Sequence, residues 1–169
     1  MAGLVVGNLQ DQEYLNWLKS NRALHRSIEV LRHVCWLEIQ HFQNSLLGKH
    51  GRTLCSKPCT HKDITTRGRG SAWSITCSDN VCSAWLADIV NEKFGKSTRL
   101  YWQNSDLGQW QTQPWQIAKV YMERQDIACI SPANTDAAGV LQLLMNCKRF
   151  KTMMDMNKVN AVSSCSFLS

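Results

Sequence analysis

The sequence is short of the features that usually announce a function. Three prolines and nine glycines are spread over 169 residues, too few for a proline-rich ligand strand or a glycine-rich linker. No window approaches about 18 uninterrupted apolar residues, which excludes a helical membrane span read from sequence. The opening MAGLVVGNLQDQEY has neither a basic n-region nor a long apolar run, so no secretory signal is expected. Paired carboxylates are missing, and GRG at 68–70 matches no phosphate-cradling fingerprint. No Ser/His/Asp or Cys/His arrangement can be drawn. His25, His33 and His41 recur every eight residues, but eight residues turn a helix through roughly 800°, so they do not converge. An enzyme is therefore not expected. Ordinary apolar content and modest charge point to one globular domain rather than disorder. Without an export signal the expected compartment is cytoplasm or nucleus, where thiols stay reduced.

What is present is concentrated between residues 55 and 85, CSKPCTHKDITTRGRGSAWSITCSDNVCSAW. Four of the eight cysteines stand there: Cys55 and Cys59 are separated by three residues, and Cys77 and Cys82 by four, with seventeen between the pairs. Two turns carrying such pairs can present four thiolates to one tetrahedral Zn²⁺. His61 is an alternative ligand, because imidazole and thiolate mix in structural zinc sites. A closed four-ligand shell would make the ion structural. The competing reading is that these cysteines are small buried hydrophobes, as Cys35 and Cys147 are expected to be on helical apolar faces. Cys129 and Cys165 carry no signal.

The formal charge of +6 is uneven. Residues 49–70 hold Lys49, Arg52, Lys57, Lys62, Arg67 and Arg69 against Asp63 alone. Such a loop can attract phosphate, which makes RNA or DNA an alternative partner, although a basic loop is more often simply solvated. The tryptophans, interleaved with Gln, Asn and Ser, can stack bases or close a core beneath a loop; the structural role is preferred.

Hydrophobic spacing predicts a mainly α fold with a cysteine-bearing insertion at 49–82. Asp11 caps a short helix with Tyr14, Trp17 and Leu18, and Ser20-Asn21 offers a second start. From there Leu24, Ile28, Leu31, Cys35, Ile39, Phe42 and Leu46 form a stripe that Gly48 stops. Residues 49–76 read as too polar for a core element, needing a metal for order. A helix capped by Ser78 or Asp79 follows through Val81, Trp85 and Ile89. Thr98 to Trp102 suggests a short strand, Pro114 opens another helix, and Asn134 or Thr135 caps a last one whose inner face is Val140, Leu141, Leu144 and Cys147. The expected domain is 1–150, with 151–169 as a tail.

EYLNWLK at 13–19, CSAW at 82–85, the run from Trp102 to Met122 and DAAGVLQLLMNCKRF at 136–150 together resemble the vertebrate family named for chromosome X open reading frame thirty-eight, over about residues 11–162. The resemblance implies a helical domain with a four-cysteine site. Longer members continue into an Arg-Asn-x-x-x-His stretch similar to helical RNA-associated domains of the HEPN type. This chain runs NKVNAVSSCSFLS instead, so the resemblance implies an alternative or truncated terminus and no nuclease role. Arg26 and His33 are the sole R-x₆-H and are expected on the outer face of the long helix. The combined expectation is an intracellular helical interaction module with a structural zinc site and a protein partner; the alternative is an RNA- or DNA-binding domain related to a HEPN-type protein.

Overall fold

A computed structural model of the chain describes residues 12–51, 59–67, 72–77, 80–95, 99–125 and 128–153. Its spine is α1 (Gln12–His50), one unbroken helix of 39 residues, about 58 Å long at 1.5 Å per residue. The break expected at Ser20-Asn21 does not occur. Both residues are exposed, helix interiors tolerate them at a cost of a few tenths of a kcal/mol, and no proline or glycine stands between Gln12 and Gly48. Local bonds support the turn sequence: Gln12 Nε2 donates to Asn16 Oδ1 at 3.0 Å and Ser27 Oγ to Ala23 O at 2.9 Å. Gly48 is passed as an ordinary helical residue. The stop comes at Gly51, at φ 77°, whose N–H donates to Leu47 O at 2.9 Å, the left-handed cap that glycine adopts without a Cβ clash.

The apolar stripe of α1 is buried only in its second half. Cys35, Ile39, Phe42 and Leu46 are at most 3% exposed, whereas Leu24 is 71% exposed. Ile28 and Leu31 pack partly against the core. The body of the protein simply does not reach further up the helix.

That body is built from β1 (Ile64–Arg67), β2 (Ala72–Ile75), α2 (Asn80–Asn91), α3 (Pro114–Ala118), α4 (Ala137–Asn146) and α5 (Lys148–Met153), with 3-10 turns between them. The segment expected to be too polar for the core forms an antiparallel hairpin, pairing Ile64 with Ile75 and Thr65 with Ser74. Threonine-rich strands suit a half-buried pleat. Ile75 joins the core, so the insertion is partly a core element. A two-stranded hairpin is marginal alone; here β2 packs on α2.

Among the described residues, no strand forms between Arg99 and Trp102. Thr98 itself lies outside the described residues, and Trp102–Asn104 is a 3-10 turn. The chain is held there by side-chain bonds: Asn104 Nδ2 donates to Met122 O at 2.6 Å, Ser105 Oγ to Gln116 O at 2.5 Å and Trp110 Nε1 to Ser105 Oγ at 2.8 Å. Trp85 stacks on Trp110 at 6.5 Å between ring centroids, and Trp115 Nε1 donates to Thr135 Oγ1 at 2.9 Å. These indoles close the core, each being at most 4% exposed.

The cap of α4 is Asp136, whose side chain accepts from Gly139 N at 2.7 Å, rather than Asn134 or Thr135. Val140, Leu143, Leu144 and Cys147 face inward, while Leu141 is 48% exposed. The i, i+3, i+4, i+7 set starting at Val140 leaves Leu141 one residue, about 100°, off the buried face.

Candidate metal centre

The hairpin brings the cysteines together. Asp63 Oδ2 accepts from Thr60 N at 2.7 Å and from Thr60 Oγ1 at 3.0 Å, closing the turn that follows Cys59. The carbonyl of Asp63 in turn accepts from Thr76 N at 2.8 Å. The residue after Cys59 and the residue before Cys77 are thereby tied to one short turn at the base of the hairpin. Cys82 arrives from the other side, in the first turn of α2, where the positive end of the helix favours a thiolate.

The three sulfurs of Cys59, Cys77 and Cys82 lie within 4.8 Å of one another. Cys59 and Cys82 Sγ are 3.7 Å apart. That is far beyond the roughly 2.05 Å of a disulfide, but it matches the edge of a tetrahedron of about 2.3 Å zinc–sulfur bonds, roughly 3.8 Å. All three cysteines are half-buried. Three of the four thiols picked out by spacing thus converge. Cys55 and the His61 side chain, the two sources expected for a fourth ligand, lie outside the described residues. Thiolate sets of this kind select zinc over the hard oxygen-seeking cations.

Of the basic set, the described side chains are those of Lys49 and Lys62. Lys49 Nζ is bound to Asp88, at 3.0 Å from Oδ1 and 2.8 Å from Oδ2. Lys62 is exposed. Arg52, Lys57, Arg69 and the Arg67 side chain lie outside the described residues. His50 Nε2 also meets Asp88 Oδ2, at 2.7 Å. Burial raises the Asp88 carboxyl, but hydrogen bonds and charge from Lys49 and His50 outweigh it and hold the group below the usual range. Sequence reading missed this trio because Asp88 stands nearly forty positions from its partners and no local pattern links them. Arg26 and His33 are both exposed, as expected.

The family described as "Domain of unknown function (DUF4559)" matches residues 8–166. The chain belongs to that family. A mouse (Mus musculus) relative, "Uncharacterized protein CXorf38 homolog", is 27% identical over 168 residues, covering 95% of this chain and 49% of the relative. The chain therefore spans about half the length of that protein. The resemblance of the tryptophan and cysteine blocks to the open-reading-frame family is thus a true relationship. No solved structure is significantly similar to the chain. Among the described residues, no helix is long and apolar enough to cross a membrane.

Proposed function

We propose that this chain is a non-enzymatic interaction module in which one structural zinc ion locks the hairpin to α2. The observation that carries this reading is the convergence of Cys59, Cys77 and Cys82 within 4.8 Å. Cys55 or His61 completes the shell. Four protein ligands leave no open position for substrate or activated water, which is why the ion is structural. Its task is thermodynamic: a two-stranded hairpin is marginal alone, and the ion adds order to what Ile64 and Ile75 contribute by packing on the core. The partner we favour is a protein, since Lys49, one of the basic residues a nucleic acid would engage, is already paired with Asp88.

Metal content of the purified chain tests the reading. About one zinc per chain is expected, with loss of most of it in Cys77→Ser and in Cys82→Ser. Metal-free wild-type protein, or full metal content in both variants, would overturn it. Retention on a phosphate-rich column that weakens with salt would favour nucleic acid instead.

A further inference from the structure

Cys59 and Cys82 stand 23 positions apart in sequence, yet their sulfurs are 3.7 Å from each other. The protein holds them there with bonds that involve no metal. On one side, Asp63 accepts from Thr60 N through its side chain and from Thr76 N through its carbonyl, at 2.7 and 2.8 Å, which fixes the stem of the hairpin next to Cys59. On the other, α2 carries Cys82 in its first turn and packs against β2. Two thiols held in this way meet at an effective concentration well above that of any dissolved thiol. The remaining gap to a disulfide, about 1.7 Å, lies within small rotations of the two side chains. Burial separates this cluster from the other thiols. Cys35 and Cys147 have no exposure and Cys129 has 8%, whereas Cys59, Cys77 and Cys82 are half-buried, within reach of a small uncharged oxidant.

We propose that Cys59 and Cys82 form a redox pair that hydroperoxides convert to a disulfide, and that the conversion expels the ion. The step balances. One sulfur attacks the O–O bond of hydrogen peroxide, giving a sulfenic acid and water. The second sulfur displaces the hydroxyl as another water and closes the S–S bond. The two sulfurs lose two electrons in all, and the peroxide takes them. Starting from metal-bound thiolates, zinc leaves as Zn²⁺ and solvent supplies the two protons that complete the waters. Two donors are then consumed, and Cys77 with one further donor falls short of the four that a structural ion takes. The new bond joins the hairpin stem to α2, the same elements that the ion joins, so a covalent staple replaces a metal one and the hairpin stays docked. The expulsion of the ion rests on the zinc reading above; the pairing of the sulfurs does not.

Two preparations of the full chain decide it, one loaded with zinc and one stripped by a chelator. Each is treated with hydrogen peroxide, alkylated, and digested without reduction by trypsin and Asp-N, which separate the cysteines at Lys62, Arg67 and Asp79; fragment spectra then place each bridge. A Cys59–Cys82 bridge is expected in both, with the mass of two hydrogens lost per chain. In the loaded protein about one zinc should be freed per bridge, read with a chromogenic chelator, and dithiothreitol with added zinc should restore the starting metal content. Metal-free Cys59→Ser should lose the bridge, and metal-free Cys77→Ser should keep it. Sulfurs oxidised singly to sulfinic acid, or bridged through Cys77 or between chains, overturn the proposed pair. A bridge that forms without loss of zinc overturns the expulsion. A chain that never binds zinc removes the zinc reading and the expulsion with it, while the bridge in the metal-free preparation still decides the pairing.

Discussion

Asp88 Oδ2 lies 2.7 Å from His50 Nε2, joining the last turn of α1 to the middle of α2. Lys49 holds the same carboxylate from the solvent side. The contact sets how the two helices meet beside the hairpin.

Because the folded-state carboxyl of Asp88 sits below its usual range, its contribution is complete above about pH 4 and is lost as pH falls through the lower folded value. Asp88→Asn should cost about 1 kcal/mol at neutral pH. The gap between variant and wild type should close as the solution is acidified below about pH 4. Denaturant unfolding at a series of pH values measures it; a gap independent of pH would contradict the ion-pair account.

The thiols divide into two populations. Burial pushes Cys35 and Cys147 up to about 12, so neither is a thiolate near pH 8. Alkylation of the native protein should leave both unmodified until the chain unfolds. Cys59, Cys77 and Cys82 are half-buried and should react once a chelator has been added, and slowly before. Mass-spectrometric mapping separates the groups; early modification of Cys35 or Cys147 would disprove the division.

The stripe on α1 should show a sharp gradient. Ile39, with no exposure, should lose about 2–5 kcal/mol on Ile39→Ala, from transfer and cavity together. Leu24→Ala should stay within about 0.5 kcal/mol. Equal effects from the two would mean that the body reaches further up the helix.

Much of this fold was legible because period and caps act locally. The run Cys35, Ile39, Phe42 and Leu46 identified the spine and Pro114 the start of α3. The misses have non-local causes. Leu24 continues the same periodicity as Ile39, and only the extent of the body decides that one is bare and the other buried. The hairpin was hidden by its polarity, since Thr65 and Ser74 earn their place through a cross-strand bond of 2.9 Å rather than through burial. At the metal centre, spacing picked out the convergent cysteines, but the Asp63–Thr76 clamp that sets their distance belongs to main-chain geometry, which residue types do not encode.

Gly139 offers a test of close packing. A Cβ there would lie 2.5 Å from Gln125 Nε2, 2.9 Å from Thr135 Cγ2 and 3.0 Å from Asp136 Oδ1. The Gln125 end can swing away, but Thr135 is pinned, its carbonyl accepting from Arg32 Nε and Nη2 at 3.1 and 2.7 Å. Gly139→Ala should therefore destabilise by about 1–3 kcal/mol, overriding the roughly 1 kcal/mol that alanine gains in helix propensity. A rise in melting temperature would show that the Asp136 cap yields without cost.

The unbroken length of α1 has a mechanical consequence. Where Trp36 leans on Trp115, with ring centroids 6.3 Å apart, the helix is gripped; from there to its first residue is a lever of about 35 Å. Tilting that grip by about 10° sweeps the free tip through roughly 6 Å, with no hinge in between to absorb it. Residues at this fulcrum govern where the tip points, so substitutions deep in the body should redirect what the distant end can reach.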